Sequence, residues 1–414
     1  MSGTVNDNIF GSSGSIIAAA GGLSWQSVVT ASTVTVSSGK GYFINTTSNA
    51  CTITLPSSAE AGDQIILADY ARTWGTNAIT IDSNGLLFQG SPDAYTVDYD
   101  TSGQAINLVY SGSTVGWTPA SDIVSALEPV KPPVQKALFG YGSGPSSLTN
   151  LVNSSGVIAS DTTGVGTGRS GLAAASYGGD KAIFGYGTTG SNVSLTNLVN
   201  NSGVVAADVT GVGTARRGLE AAGYGGDKAI FGYGTTGSVT NLSNLVSNSG
   251  VVAADVTGVG TARSFLGAAD YGTDKAIFAF GTTGSVTNLS NLVSNSGIVA
   301  SDTAGVGTAR NYLAAASYGG DKAIFGYGYA GGNVSMTNLV TNVGVVGTDV
   351  SGVGTARNNL SATGYGGDKA IFSFAGSSNS STNLVNSSGV VASDITGVGT
   401  AREGASAAGY SFSA

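Results

Sequence analysis

The chain of 414 residues has 66 glycines, 41% apolar residues and only 10% charged residues, a composition that favours many short strands with tight turns over disorder or long helices. Its formal net charge of -8 argues against nucleic acid as a partner, and its lack of histidine removes the commonest general base and most transition-metal sites. No run of 18 apolar residues occurs, so we expect no membrane insertion.

The first 134 residues predict an arm, a small β-domain and a linker. Residues 1–23 are rich in Gly, Ser and Ala and are interpreted as a flexible arm. Residues 24–120 contain about eight short alternating or β-branched runs separated by turn residues, which is typical of a β-sandwich or a β-roll. Residues 121–134 hold three of the seven prolines and are predicted to form a stiff linker. The single cysteine, Cys51, cannot form an internal disulfide.

Residues 135–414 consist of one unit repeated six times. A lysine and an arginine recur at a spacing of 47 residues, except for one step of 45 in each series. A fixed period of this length is typical of repeat architectures, in which each copy buries its apolar face against its neighbours. The lysines are Lys136, Lys181, Lys228, Lys275, Lys322 and Lys369, and the arginines are Arg169, Arg216, Arg263, Arg310, Arg357 and Arg402.

Each copy is predicted to form four antiparallel strands, which we letter A to D. In the second copy they are residues 172–177, 181–186, 196–200 and 204–208. Gly-Gly-Asp joins A to B and Asn-Ser-Gly joins C to D, and both are turn sequences that accept the positive φ angles of tight hairpins. Four antiparallel strands in every 47 residues are typical of one blade of a β-propeller.

The array begins and ends in the middle of a unit. Lys136 opens it with strands B to D of the first copy, and residues 404–412 supply a strand A after the last copy. If this strand pairs with the first copy, the two ends of the array close one sheet and leave no open edge between blades. The predicted fold is therefore all-β, with a small N-terminal β-sandwich or β-roll followed by a six-bladed propeller that the C-terminal strand closes.

The repeat resembles that of the kelch family. An arginine precedes a small apolar strand, a Gly-Gly turn follows, and the next apolar strand ends in two glycines separated by an aromatic residue, as at Gly185, Tyr186 and Gly187. The resemblance covers residues 135–414 and implies a kelch-like propeller. The sequence departs from the kelch pattern because strand D has no Trp and because residues 279–281 and 373–375 replace the glycine pair.

The segment from residue 25 to residue 117 resembles a β-module common in tail-fibre and virion-appendage proteins of bacteriophages, through stretches such as TITLPSSAEAGDQIILADY and LVYSGSTVGW. This resemblance implies a structural virion protein that is made in the host cytoplasm and released by lysis, and in which residues 1–120 bind other virion proteins. It also implies a homo-oligomer, with a trimer expected. Two placements remain open: a tail fibre or spike that binds the host, and a head fibre or decoration protein without a receptor role.

Almost every charge of the repeat region recurs at an equivalent position. Of its 27 charged residues, only Arg217, Glu220, Asp270 and Glu403 do not. We interpret the recurring arginines as structural residues that pair with carbonyl groups or with the aspartate at the end of strand D. These aspartates are Asp161, Asp208, Asp255, Asp302, Asp349 and Asp394.

The sequence predicts no catalytic centre, no metal site and no cofactor. Loops such as residues 208–214 carry one aspartate each, whereas calcium loops concentrate three or more oxygen ligands, so a capped turn is the simpler interpretation. No phosphate-binding or dinucleotide motif occurs. A polysaccharide-degrading enzyme is the alternative, and its paired carboxylates would come from Glu220, Asp270 or Glu403.

The copies differ mainly in the B-to-C segments and in the residues that follow each arginine. In an up-and-down blade both connections emerge on the same face, so the variation is predicted to lie on one side of the ring. Amide, hydroxyl and aromatic side chains suit sugar hydroxyls and sugar faces, which favours host-surface carbohydrate as the ligand. Free drift of surface loops is the alternative. The predicted binding residues are Arg217, Glu220, Phe265, Asp270, Tyr312, Tyr329, Asn333, Asn358 and Asn359.

Overall fold

The structure is a computed structural model that describes residues 8–10, 16–18, 23–91, 97–121, 134–376 and 379–413. It divides into two compact units, Met1–Pro132 and Pro133–Ala414. Among the described residues, no helix has the length and hydropathy that a membrane span requires. The predicted linker, residues 121–134, lies outside the described residues except at its two ends.

The predicted arm, residues 1–23, contains a pair of short strands. β1 (Asn8–Phe10) and β2 (Ile16–Ala18) pair in antiparallel fashion, where the sequence indicated no element. Ile and Phe, which dominate these two runs, favour extended backbone. Apart from these strands and residue 23, the arm lies outside the described residues.

Beyond the arm, the described part of the first unit forms nine strands in two mixed sheets. One sheet has the order β11-β10-β7-β5-β3, and the other has the order β4-β6-β8-β9. The strands are β3 (Ser24–Trp25), β4 (Thr33–Thr35), β5 (Lys40–Ile44), β6 (Cys51–Thr54), β7 (Gln64–Asp69), β8 (Ile79–Asp82), β9 (Val97–Tyr99), β10 (Ala105–Tyr110) and β11 (Trp117–Pro119).

From β4 to β8, successive strands alternate between the two sheets. Within each sheet these strands are parallel, because β5 pairs with β7 while β6 pairs with both β4 and β8. Hairpin connections would make sequential neighbours antiparallel. Of the two predicted alternatives, the winding of this segment therefore favours the β-roll. The predicted strand around Phe88 is not formed, since this residue makes only isolated bridges to Ser91 and Trp117.

One apolar core lies between the two sheets of the first unit. Alternate side chains of β7 and β10 point into it, so that Ile65, Leu67, Ile106 and Leu108 are fully buried. Their neighbours along each strand remain more exposed, as the two-residue period of a strand requires. Cys51 belongs to this core as a free thiol, and burial raises its pKa.

The described part of the second unit contains six repeated three-stranded antiparallel sheets, each in the order A-B-C of the predicted strands. The strands are β12 (Lys136–Gly140) and β13 (Thr149–Val152) with β29 (Ser406–Tyr410); β14 (Ala173–Tyr177), β15 (Lys181–Gly185) and β16 (Thr196–Val199); β17 (Glu220–Tyr224), β18 (Lys228–Gly232) and β19 (Ser243–Val246); β20 (Gly267–Tyr271), β21 (Lys275–Ala279) and β22 (Ser290–Val293); β23 (Ala314–Tyr318), β24 (Lys322–Gly326) and β25 (Thr337–Val340); β26 (Ser361–Tyr365), β27 (Lys369–Ser373) and β28 (Asn383–Val385).

The sequence of the central strand fits its position between two neighbouring sheets. After its lysine, β15 (KAIFG) is buried at every residue, as expected for a strand that is covered on both faces. Its last residue, Gly185, faces Phe231 of the next sheet, and a Cβ there would lie 2.7 Å from the aromatic ring. Phe231 also packs edge-on against Tyr186, with 5.2 Å between the ring centroids. Aromatic packing of this kind joins each sheet to the next.

Strand D is not a continuous strand. In the second copy it contacts its sheet at two isolated bridges, which join Val199 to Val205 and Thr196 to Val209. Between these bridges the fully buried Asn197 donates from its side chain to the carbonyl of Ala206 at 3.0 Å, so a side chain takes the place of a ladder bond. The prediction of four regular strands in each copy was therefore wrong for the fourth strand.

The C-terminal strand closes the six sheets into a ring. β29 pairs with β12 over five residues, from Ser406 with Gly140 to Tyr410 with Lys136. The first strands contact one another in cyclic order, from β29 through β14, β17, β20, β23 and β26 back to β29. The predicted closure of the first sheet by the C-terminus is confirmed, and the arrangement is consistent with a β-propeller.

Besides the aromatic packing, backbone hydrogen bonds at the A-to-B turns also join neighbouring sheets. At each turn a backbone N–H donates to a carbonyl of the next copy at 2.7–2.9 Å. The donors are Gly178, Gly225, Gly272, Gly319, Gly366 and Ser411, and the acceptors are Asp227, Asp274, Asp321, Asp368, Gln135 and Asp180. The near-constant sequence of these turns therefore serves contacts between copies as well as the hairpins themselves.

Candidate functional site

A closed circle of backbone hydrogen bonds lies at the start of the first strands, and we call it the axial ring. Each member donates its N–H to the carbonyl of the equivalent residue in the preceding copy, at 2.7–3.3 Å. The members are Gly171, Gly218, Phe265, Tyr312, Asn359 and Gly404. Each is the second residue after a recurring arginine. The side chain at this position thus varies between copies, whereas the backbone hydrogen bond is present in all six.

All six members of the axial ring have a positive φ, between 52° and 60°. Three copies meet this requirement with glycine, whereas the other three hold Phe265, Tyr312 and Asn359 in the left-handed region. That conformation costs a residue with a Cβ about 1 kcal/mol or more. Left-handed aromatic residues also recur between the sheets, as at Tyr186. Phe265 and Tyr312 differ from these because an aromatic residue stands at the ring position in only two of the six copies.

A small cavity lies next to the axial ring, and we call it the axial pocket. Its volume is about 40 Å³, and residues of all six copies line it. Besides the axial ring, the lining consists of Glu220 and the apolar residues that follow the ring in sequence, Leu172, Leu219, Leu266, Leu313, Leu360 and Ala405. Polar and apolar groups therefore line the pocket in similar measure, and one of the polar groups is a carboxyl.

The two sides of the mouth of the axial pocket carry different side chains. Phe265 and Tyr312 stack face to face with 4.3 Å between their ring centroids, and both are half-buried. The aromatic ring of Phe265 also covers Gly218, where a Cβ would lie 2.6 Å from it. Gly171 and Gly404 carry no side chain on the other side of the mouth. Aromatic rings thus border one side of the mouth, whereas backbone and the Cβ atoms of Arg217 and Ser170 lie beside the two glycines on the other.

Two charges of opposite sign act on the mouth. Burial raises the pKa of Tyr312, Arg217 lowers it, and Glu403 raises it further. Arg217 is exposed and Glu403 is half-buried. These residues, which do not belong to the repeat pattern, are brought together with Tyr312 although they come from three different copies.

Glu220 is the first residue of β17, one position beyond the leucine that follows the axial ring. Desolvation raises the pKa of its carboxyl to about 8, and a hydrogen bond from the N–H of Ala221 opposes this shift. Among the described residues, no basic side chain pairs with it. At neutral pH the empty pocket therefore favours the protonated acid.

We expect the stability of the protein to fall between pH 5 and pH 9 because of Glu220. The carboxyl has a pKa of about 8 in the folded chain against 4.5 ordinarily, so the folded state binds this proton more tightly. Its contribution is complete below about pH 4.5 and is lost as the pH rises through 8, which amounts to at most about 5 kcal/mol. Urea unfolding at a series of pH values measures the loss.

Glu220→Gln is the matched variant for this pH series, because the amide resembles the protonated acid and cannot ionise. The recurring aspartates do not interfere, since their pKa values are lowered and they titrate below this window. The variant should unfold at the same urea concentration at pH 5 and pH 9. A wild-type chain with an equally flat profile would contradict the assigned environment of Glu220.

Most of the predicted binding residues lie on the face that bears the axial ring. Phe265, Tyr312 and Asn359 belong to the ring itself. The residue before the ring pairs with the B-to-C segment of its own copy, as Asn311 does with Tyr329 through two backbone bonds of 2.8 and 3.1 Å. This pairing places the D-to-A and B-to-C connections together, as the sequence predicted. Tyr329, Asn333, Arg217 and Asn358 lie in these connections, outside the axial pocket.

Asp270 is an exception, and its assignment to the variable face was wrong. It is the fourth of the five residues of β20, next to the A-to-B turn. Its carboxylate accepts a hydrogen bond of 2.6 Å from the hydroxyl of Ser317 in the next copy. Because strand A crosses from one face to the other, a residue near its end lies on the side opposite to the axial ring.

The recurring arginines lie between neighbouring sheets and are almost fully buried. Arg216 donates from Nε to the carbonyl of Tyr233 at 2.8 Å and from Nη2 to the side chain of Asn244 at 2.7 Å. Its guanidinium also lies 4.4 Å above the aromatic ring of Tyr186 in the preceding copy. All six arginines stack on an aromatic ring in this way. These contacts are those of a residue that fixes one sheet against the next.

The recurring aspartates hold the segment that leads into strand A. Asp208 accepts hydrogen bonds from the backbone N–H and the hydroxyl of Thr167, and it lies 3.9 Å from Arg169. Burial alone would raise the pKa of this carboxyl, but the hydrogen bonds from Thr167 and Asn197, together with Arg169, hold it below the ordinary value. The carboxylate of Asp208 therefore forms its hydrogen bonds within the fold.

The sequence interpretation missed a set of recurring asparagines. In every copy the asparagine that begins the motif NLV is fully buried and donates to the strand D aspartate at 2.9–3.0 Å. They are Asn150, Asn197, Asn244, Asn291, Asn338 and Asn383. A polar residue that recurs at the same place inside an apolar strand was a signal that could have identified them.

The described residues contain no group of three or more Cys, Asp or Glu side chains that could hold a metal ion. The axial pocket is thus the site where the most predicted residues meet, with Glu220, Phe265, Tyr312 and Asn359 lining one cavity. Comparison of the sequence with protein-family models and with curated proteins found no match to either.

Proposed function

We propose that the second unit is a kelch-like six-bladed β-propeller. Three observations support this proposal: the cyclic contacts of the first strands, the pairing of β29 with β12, and the recurring arginine and Gly-Gly turn. Each three-stranded sheet then corresponds to one blade, with the bridged segment D at its outer edge. The aromatic and guanidinium contacts between copies supply the packing between blades.

We propose that the protein is a non-enzymatic appendage of a bacteriophage virion that binds carbohydrate on the host surface. The observation that carries the binding function is the stacked pair of Phe265 and Tyr312 at the mouth of the axial pocket. Half-buried aromatic rings next to amide and hydroxyl groups are suited to sugar rings, which present apolar C–H faces and polar edges. Gly171 and Gly404 add no side chain on the other side of the mouth.

The arrangement of acids does not favour a glycosidase. Of the three candidate acids, Glu220 alone lines the axial pocket among the described residues. Asp270 lies near the opposite end of strand A in the next copy, and Glu403 acts on Tyr312 from outside the lining. Retaining and inverting glycosidases need two carboxyl groups on either side of one bond, about 5 to 10 Å apart. We therefore propose binding without hydrolysis. Release of reducing sugar from host polysaccharide by the purified chain would overturn this part of the proposal.

The attachment of the protein to the virion is proposed from the resemblance of residues 25–117 to phage appendage modules. In this proposal residues 1–120 contact other virion proteins and the chain forms a homo-oligomer, expected to be a trimer. Immunogold labelling of particles distinguishes a tail position from a head position. A decoration protein without a receptor role would be found on the head and would not compete with phage adsorption.

Glycine substitutions at two members of the axial ring test the binding function. We expect Phe265→Gly combined with Tyr312→Gly to weaken binding to host-surface glycans by about 10- to 100-fold, since two aromatic contacts of about 1 kcal/mol each are lost. The axial ring should persist, because three of its members are glycine already. Binding of the full chain to immobilised host polysaccharide is the measurement.

Tyr70→Ala is the control for this pair. Tyr70 is an aromatic residue with 57% exposure that belongs to the first unit, whereas the axial ring belongs to the second. Its loss should leave the affinity unchanged. Equal affinity of the wild type and the double glycine variant would exclude the axial mouth as the binding site, and no affinity of the wild type for any host glycan would refute receptor binding altogether.

A further inference from the structure

Glu220 interrupts a pattern of small neutral residues around the axial pocket. The equivalent first residues of the other first strands are Ala173, Gly267, Ala314, Ser361 and Ser406. Among the described residues that line the pocket, Glu220 is the only acid. One copy of six therefore places a carboxyl group where the fold itself requires only a small side chain.

Within the fold, the surroundings of Glu220 do little to stabilise a negative charge. Leu219 and Leu266 line the same cavity and are almost fully buried. The carboxyl accepts one hydrogen bond, from the N–H of Ala221, and the part of the chain that the structure describes offers it no cation. Glu220 is half-buried, and a desolvated carboxylate without a charged partner is costly. A ligand that brings a positive charge would remove this cost.

The aromatic side chains at the mouth also favour a positively charged ligand. Phe265 and Tyr312 line the pocket together with Glu220, and aromatic faces attract ammonium groups through their quadrupole. The pocket volume of about 40 Å³ is room for about three waters. An ammonium group fits this space, whereas a whole sugar ring must remain outside, against the stacked pair.

We propose that the axial pocket binds the ammonium group of an amino sugar, with the carboxylate of Glu220 as its counter-ion and Phe265 and Tyr312 beside it. This inference rests on the proposed carbohydrate binding and names the class of sugar. The charges at the rim do not oppose it, because Arg217 and Glu403 act on Tyr312 with opposite signs. A neutral sugar that donates a hydroxyl to the pocket is the competing ligand, and the experiment separates the two.

The test compares a glucosamine oligomer with its N-acetylated counterpart, because the two differ in the positive charge. Titration calorimetry of the full chain should give at least about tenfold tighter binding of the glucosamine oligomer. Glu220→Gln should abolish this preference and leave the affinity for the acetylated oligomer within about twofold. Thermal unfolding checks that the variant is folded, and its neutral amide should make it at least as stable as the wild type at neutral pH.

Three outcomes decide between the two proposals. Equal affinity of the wild type for both oligomers, or an unchanged preference in Glu220→Gln, overturns the ammonium site and leaves carbohydrate binding in place. Loss of the preference in the variant alone supports the site. No binding of either oligomer or of host polysaccharide overturns both proposals.

Discussion

Deletion of residues 405–414 is expected to destabilise the second unit by more than about 5 kcal/mol, which equals the whole stability of many domains. The deletion removes β29, whose five residues pair with β12 and whose Tyr410 is almost fully buried. Burial of one tyrosine contributes about 2 kcal/mol and each lost strand bond about 1 kcal/mol. Without β29, the contacts from β26 and β14 to this strand are also lost.

Circular dichroism during heating and limited proteolysis of the second unit measure this effect. A deletion of residues 413–414 is the control, because it leaves β29 and the bond from the N–H of Ser411 to the carbonyl of Asp180 intact. The short deletion should melt like the wild type, and the long one should be digested rapidly. A long deletion that melts at the wild-type temperature would show that closure contributes little.

The second large loss of stability is expected at Arg216, and its exposed neighbour Arg217 provides the control. Arg216→Ala should cost about 3–5 kcal/mol of unfolding free energy, as expected when one partner of a buried charged network is removed. The substitution leaves the carbonyl of Tyr233 and the side chain of Asn244 without their donor. It also leaves Asp255 without the guanidinium that lies 3.8 Å away.

Arg217→Ala is the matched control, since it removes the same side chain one residue later at an exposed position. Surface substitutions of this kind usually change stability by less than about 0.5 kcal/mol. Urea unfolding of both variants gives the comparison. Similar losses in the two variants would contradict the structural role of the recurring arginine. A loss at Arg263→Ala close to that at Arg216→Ala would extend the role to another copy.

The six-fold organisation could be predicted from the sequence because repetition is visible without any knowledge of contacts. The spacing of 47 residues predicted the number of copies, and the offset between Lys136 and residue 404 predicted the closing strand, which the pairing of β29 with β12 confirms. The fourth strand was predicted wrongly. Its residues have high β propensity, but in the second copy segment D pairs only at isolated bridges, and the side chain of Asn197 bonds to the carbonyl of Ala206 between them. Propensity does not report such a local interruption.

The candidate site could be predicted only in part. Comparison of the copies selected Phe265, Tyr312 and Asn359 because these positions vary, and the structure places all three in the axial ring. The ring itself was not recognised, since its bonds join backbone atoms of different copies and its positive φ shows in sequence only as glycine at three of the six positions. Glu220 and Asp270 looked alike in sequence as acids outside the repeat. Their positions along strand A distinguish them. Glu220 begins its strand beside the pocket, whereas Asp270 lies near the other end of its strand, on the opposite side.

The seam between β12 and β29 has a consequence for the synthesis of the chain. About 270 residues separate the two strands, so at about 5–20 residues per second the ribosome needs about 15 to 55 s to deliver the second after the first. Throughout this interval the nascent β12 has an edge of unpaired N–H and C=O groups, which is a template for strands of other chains. The ring is completed only after β29 has been synthesised, and slower translation lengthens the period in which the nascent chain is prone to aggregate.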